Sequence, residues 1–337
     1  MKRPQISITL DGMKCHLLIP SLFWPTPRFS IEALPHLETL LARGRLARNS
    51  RQGIDEWLCR AFQVEAQQNW PVAPLTLKND AAGYWLRADP VHLQLRRDHL
   101  GLLGSESLAI SESEADRLLD ALNRHFAPDD LLFARERPDV WLLRLPDSPD
   151  ASTCPLPEVL GRDIDAFMPK GADAMRLKQI MNETQMLLHG HPVNETRALP
   201  INSVWLWGGG TSPKVEAPRF ESISSDNPVA WGLARKSGIP FTPVSENAES
   251  WLASLAEGEH LVILESLVPP SRYGDENEWD ARLRSLEANW FKPLRLAVQN
   301  GLELGLVDNE AGLHLEAGPR DLWKFWKRNR PLLDYLK

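Results

Sequence analysis

Cysteine and tyrosine are scarce in this chain of 337 residues, with three of each. An odd set of cysteines (Cys15, Cys59 and Cys154) with no metal-type spacing argues against a disulfide framework and a cysteine zinc site, and points to a reducing compartment. Long apolar runs are missing too. No stretch approaches the ~18 residues of a membrane helix, and Asp11 and Lys14 break the basic opening segment, so no membrane and a cytoplasmic location are expected. No internal repeat or low-complexity tract is present. Nor does one charge dominate: 38 Lys plus Arg against 45 Asp plus Glu leave a net charge of −7 with the signs interspersed. That balance argues against a nucleic-acid footprint, which needs clustered cations. The locally basic end, with Lys324, Lys327, Arg328 and Arg330, reads as the solvated C-terminus of a last helix.

What is present fits a packed globular chain, with 43% hydrophobic and 25% charged residues. Two counts stand out, 27 prolines and 13 tryptophans. Tryptophans scattered from Trp24 to Trp326 predict broad aromatic packing under ordered loops; a sugar- or base-stacking surface is the sharper alternative.

Strand and helix alternate along much of the sequence. Cys15 to Pro20 is a short apolar run, followed by leucines at helical spacing (Leu34, Leu37, Leu40, Leu41) between a candidate cap, Ser30, and a helix-ending Gly44. Residues 71–150 read as an inserted α+β subdomain: Val91, Leu93 and Leu95 alternate with polar residues, Val140–Leu145 is a second strand, and Glu112 to Phe126 is a helix with a Ser111/Glu114 capping box. A proline-rich connection covers 151–164. Beyond it come a helix through Leu177 and Leu188, a strand from Ile201 into Gly208-Gly209-Gly210, helices near Val229 and Ala248, and a strand at His260–Glu265. A long helix bearing Trp279, Leu283, Leu286 and Trp290 is interrupted or kinked at Pro293, and a strand at Leu302–Val307 follows. The expectation is a mainly parallel sheet sandwiched by helices, built by residues 1–70 and 165–337.

Open α/β sheets bind ligands at the carboxyl ends of their strands. Ser21, Trp205 to Gly210, Glu265 with Ser266, and Asp308 with Asn309 are therefore the first candidates. Two carboxylates make a thin list for a two-metal centre. The glycine run can bring backbone N–H groups to a phosphate or simply make a tight turn, since it lacks the spacing of a phosphate-binding loop. His189 and His191 lack a third metal ligand. The stretch from His191 to Trp207 is dense in polar groups (His191, Asn194, Glu195, Arg197, Asn202). Arg197 suits a phosphate or carboxylate, and a buried network fastening a loop is the competing reading.

These residues carry a resemblance. His191-Pro-Val-Asn194, Arg197 and Asn202-Ser-Val-Trp-Leu-Trp-Gly208 with Gly210 resemble a signature of the archaeal-type cofactor-independent phosphoglycerate mutases, of the alkaline-phosphatase-like superfamily. Leu34 to Gly44 is similar to one of their helices and Tyr84 to Leu145 to their inserted domain. The whole chain resembles more closely the bacterial RpfE-type regulatory proteins, often labelled as relatives of those mutases. The resemblance implies an alkaline-phosphatase-like fold, two divalent metals and a phosphorylated serine. Four matching positions depart from it. Ser21 stands where the first metal-binding Asp is expected, and Gly53-Ile54-Asp55 stands at the nucleophile segment, although Ser50 comes close in another register. Ser271-Arg272-Tyr273 follows Glu265 without the expected histidine. Asp308-Asn309 replaces Asp-His, with His314 further on. A hydroxyl and a carboxamide cannot replace a carboxylate and an imidazole in holding two dications.

The expected function is therefore a non-catalytic binding or regulatory protein, a pseudo-mutase with no cofactor. Its residual cleft for a small phosphorylated or carboxylated ligand would be formed by His191, Asn194, Arg197, Asn202, Gly208, Gly209 and Gly210, and a protein partner is the other candidate. The alternative is a Mn- or Zn-dependent phosphoglycerate mutase or phosphatase, with Asp11, Asp55, Glu265, Asp308 and His314 as metal ligands from shifted positions. A third class uses exposed tryptophans as partner anchors, visible as a contiguous apolar patch.

Overall fold

A computed structural model describes residues 10–24, 31–95, 100–216 and 218–335. The chain forms two compact units, one of Met1–Trp57 with Ala217–Lys337 and the other of Leu58–Glu216. The strands run in chain order as β1 (Met13–Leu18) and β2 (Arg45–Arg48) in the first unit, then β3 (Tyr84–Leu95), β4 (Leu100–Leu103), β5 (Leu132–Arg137), β6 (Val140–Leu145) and β7 (Ser203–Gly210) in the second. The first unit resumes with β8 (Ser222–Ser224), β9 (Phe241–Thr242), β10 (Gly258–Ile263), β11 (Glu303–Asp308) and β12 (Leu313–Ala317).

The sheet of the first unit has the order β2-β12-β11-β1-β10-β8-β9. The five strands from β11 to β9 are parallel, while β12 and β2 add an antiparallel edge. Period-2 alternation sends Cys15, Leu17, Val262, Leu304, Leu306, Leu313 and Leu315 into one core cluster, which they share with leucines of helix Pro35–Arg43 and with Trp279, Leu283, Leu294 and Val298. Trp24 and Trp279 meet edge to face there, with ring centroids 5.5 Å apart. Eight of the 13 tryptophans are buried, so most serve packing as expected.

Helix Pro35–Arg43 has its first N–H groups satisfied from a distance: the Glu287 carboxylate accepts from His36 at 2.6 Å and Leu37 at 3.1 Å. The expected cap, Ser30, lies outside the described residues. Around Pro293 the interruption takes the form of a π-helical turn, Glu287–Phe291, between helices Glu276–Leu286 and Lys292–Gln299. Proline then sits in the first turn of the second helix, where its missing N–H costs nothing. The basic end is not helical. The last α-helix spans only Pro319–Leu322, and Lys324 to Arg330 follow it in turn and irregular backbone.

The second unit is larger than the expected 71–150 insert. Its sheet is antiparallel, with β3 pairing β4, β6 and β7, and β6 pairing β5. β7 was expected in the parallel sheet; it pairs instead with β3, setting Trp207 beside Arg87 and Trp205 beside Asp89. That pairing takes the whole stretch to Glu216 into this unit, so the return to the first unit falls at 217, not 165. Helix Glu112–Phe126 forms at the predicted bounds, with both halves of the Ser111/Glu114 capping box made.

Candidate functional site

The stretch from His191 to Gly210 is locked by its own unit. Asn194 is buried, donates to Leu188 O at 2.7 Å and Ile201 O at 2.8 Å, and accepts from Ile201 N at 2.8 Å. Asn202 bridges to both backbone groups of Leu93, at 2.7 and 2.9 Å. His191 Nδ1 accepts from Val193 N at 3.2 Å, capping a short helical turn. Arg197 donates to Glu114 at 2.6 Å and to the carbonyls of Leu108 and Leu199. Burial pushes Glu114 up, but the hydrogen bonds from Ser111 and Arg197 outweigh it and hold the carboxyl at about 2. Of the two sequence readings, the fastened loop is the one these bonds support.

The glycines are packed in the same unit. Gly208, Gly209 and Gly210 are strand residues, all buried, not a turn. A Cβ on Gly209 would collide with Tyr84 Oη, and one on Gly210 would come within 2.7 Å of Pro71. Gly208 combines φ +62° with Val72 at 2.8 Å from its missing Cβ. Close backbone approach requires all three.

The carboxyl ends of β1, β10 and β11 in the first unit gather a different set. Asp308, at 0% exposure, accepts from Phe23 N through one oxygen and from the N–H groups of Glu310 and Ala311 through the other, each at 3.0 Å. Burial raises its carboxyl to about 6 against the lowering effect of those bonds. Glu310 accepts from Ser21 Oγ at 2.7 Å and from the Arg272 guanidinium. Ser21 itself is held at φ +59°, with its carbonyl accepting from Trp279 Nε1 at 2.9 Å. Asn309, at the expected histidine position, donates to Gln52 O at 2.8 Å.

Glu265 lies nearby, bonded to Asn227 Nδ2 at 3.1 Å. Burial, with the like charges of Asp55, Asp226 and Glu310, raises its carboxyl to about 7. Glu265, Asp226 and Glu246 line a cavity of about 400 Å³ together with Ser245, Asn289 and Trp290; no Lys or Arg lines it. Because the folded carboxyl keeps its proton to higher pH than the unfolded one, its stabilising contribution is complete below pH 4.5 and lost as pH rises through 7. Denaturant unfolding is expected to show a loss on the order of 2 kcal/mol across that window, after allowance for partial exposure. Glu265→Gln should flatten the profile.

The alternative metal set does not converge. Asp11 precedes β1, whereas Asp308 ends β11, a parallel neighbour, so the two stand at opposite ends of the sheet. His314 projects to mid-sheet: its Nε2 lies 3.7 Å from where a Cβ on Gly305 would sit, with His16 Nδ1 at 3.6 Å from the same point. Among the described residues, no group of three or more His, Cys, Asp or Glu is placed to hold a metal ion.

Two arrangements escaped the sequence reading. One is the Ser21–Glu310–Arg272 chain; its only sequence signal was an arginine standing near the missing histidine. The other is a buried triad in the second unit. Arg87 Nε donates to Asp89 at 3.0 Å, and Trp207 Nε1 donates to the other Asp89 oxygen at 2.7 Å. All three are at most 5% exposed. Alternation in β3 puts Arg87 and Asp89 on one face, but Trp207 is brought beside them only by the pairing with β7.

No protein-family model matches the chain. It is 25% identical over 258 residues to a probable 2,3-bisphosphoglycerate-independent phosphoglycerate mutase of Geobacter sulfurreducens, covering 69% of this chain and 64% of that protein. A match to the Methanosarcina mazei 2,3-bisphosphoglycerate-independent mutase is also 25% identical, over 53% of this chain and 50% of that one. A shorter match, 40% over 78 residues, links it to the Methanothrix thermoacetophila mutase and covers 19% of that protein. This chain is similar to 2,3-bisphosphoglycerate-independent phosphoglycerate mutases. The matches span less than two thirds of each of these curated relatives. Among solved structures, a Pyrococcus horikoshii protein superposes over 91% of this chain and 88% of its own, with a TM-score of 0.52 at 14% identity. The fold is α/β with a mainly parallel sheet in the first unit, as expected.

Proposed function

We propose that this relative of the mutases is a non-catalytic binding or regulatory protein, of the kind the RpfE-type resemblance implies. One observation carries the reading: the strand-end carboxylates where two dications would be expected are engaged by the protein itself. Both oxygens of Asp308 hold backbone N–H groups, and both of Glu310 hold Ser21 and Arg272. A guanidinium stands among these acids, supplying positive charge of the kind that metal ions would bring. The donor set does not fit a pair of divalent metals.

The ligand expectation changes with the site. The side chains of Asn194, Arg197 and Asn202 and the accepting Nδ1 of His191 are held by their own unit, and the strand-end cavity presents carboxylates, hydroxyls and an amide. Such a lining favours a neutral polyhydroxylated or cationic small molecule over a phosphorylated one.

The mutase or phosphatase reading keeps some support in the names of the relatives and in the acids crowded around Glu265. Elemental analysis after dialysis against Mn²⁺ or Zn²⁺, with an assay of 2- and 3-phosphoglycerate interconversion, separates the two. No bound stoichiometric metal and no turnover are expected. About two ions per chain with Mn²⁺-dependent turnover would overturn the proposal.

A further inference from the structure

Near the end of the first unit the chain is pinned at two points and stands off the surface between them. Leu322 and Leu332 are buried, the Leu322 carbonyl accepts from Arg43 at 2.7 Å, and Asn329 accepts and donates at Thr39. Between these anchors Trp323, Phe325 and Trp326 are 75%, 76% and 67% exposed. Phe325 and Trp326 meet edge to face, with centroids 5.4 Å apart. Interleaved with them are Lys324, half-buried against Asp321 at 2.7 Å, and the exposed Lys327, Arg328 and Arg330. Eight other tryptophans of this chain are buried, so aromatic exposure here is a local property. It occurs where cations collect on a chain of net charge −7.

We propose that Trp323–Arg330 is an interfacial anchor that docks this chain on an anionic lipid bilayer. Tryptophan, with an apolar ring and one N–H, settles at headgroup depth, and phenylalanine reaches the acyl boundary. Lysines and arginines on the same turn meet anionic headgroups, while an acidic protein without them is repelled. The contact is peripheral: no helix among the described residues is long and apolar enough to cross a membrane. The geometry disfavours single-stranded nucleic acid. Bases stack on aromatics that line a cationic groove, whereas side chains about three-quarters exposed project from a turn.

The test is co-sedimentation of the full chain with vesicles of phosphatidylcholine alone or mixed with phosphatidylglycerol, at low and high salt. Retention by the mixed vesicles, weakened by salt, is expected. The combined variant Trp323→Ser, Phe325→Ser, Trp326→Ser should bind about tenfold or more weakly with an unchanged melting temperature. Lys327→Glu with Arg328→Glu and Arg330→Glu should abolish the preference for phosphatidylglycerol. Equal retention on both vesicles, or a serine variant that binds like the parent, would overturn the proposal. So would binding of a poly(dT) oligonucleotide, or a concentration-dependent dimer, lost in the serine variant when neither vesicle retains the parent chain.

Discussion

Asp308→Ala is expected to destabilise the first unit by about 3–5 kcal/mol, and to do so equally with and without Mn²⁺. The side chain is wholly buried and receives three backbone N–H groups, from Phe23, Glu310 and Ala311. Alanine leaves those buried donors without their acceptor, and an orphaned buried donor loses its desolvation energy without return. Asp308→Asn should cost less: its amide oxygen can still accept, but its N–H₂ faces one donor. Were Asp308 a metal ligand, the outcome would differ. Alanine would then relieve like-charge crowding in the apo protein, and only the metal-loaded form would lose stability, by the binding linkage. Denaturant unfolding of the parent and both variants, with and without Mn²⁺, reads the difference directly. A loss seen only in the presence of metal would refute the assignment of Asp308 as a backbone clamp.

Arg87→Ala should cost the second unit a similar amount, about 3–5 kcal/mol. Asp89 is 1% exposed, and burial already raises its carboxyl against the lowering effect of Arg87 and Trp207. Without the guanidinium it keeps one charge-stabilising hydrogen bond, from Trp207, and its pKa rises further. The folded carboxyl then holds its proton above the unfolded value of 3.8, so the variant is relatively more stable in acid and loses that contribution as pH rises. Removing both charges in Arg87→Met with Asp89→Asn should recover part of the loss, since the buried charges are gone and the amide oxygen can still accept from Trp207 Nε1. Unfolding at acid and neutral pH tests both statements. Additive losses in the double variant would show that the pair is not a unit.

The local elements were legible because their periods are short-range physics. The capping box at Ser111 and Glu114, the leucines of Pro35–Arg43 and the apolar run of β11 each act within one turn or one strand. The resemblance to the mutases was legible in the same way, since the Trp205-Leu-Trp-Gly208 block is a string of residues. What that block does was not. Polar density and glycines read equally well as a ligand cleft or as packing, and the choice depended on what faces them. β3 lies more than 100 positions earlier in the chain and supplies Asp89 to Trp207 and the backbone of Leu93 to Asn202.

By itself the sequence determined the class of fold, that a second unit is inserted in the first, and the buried role of most tryptophans, because each rests on residue type and spacing. Tertiary structure decided which unit β7 joins, that Asp308 holds backbone instead of standing free, that Arg272 closes on Glu310, and that Trp323, Phe325 and Trp326 stand off the surface. These depend on partners far apart in the chain, whose approach is set by sheet register and burial, and no local pattern encodes it.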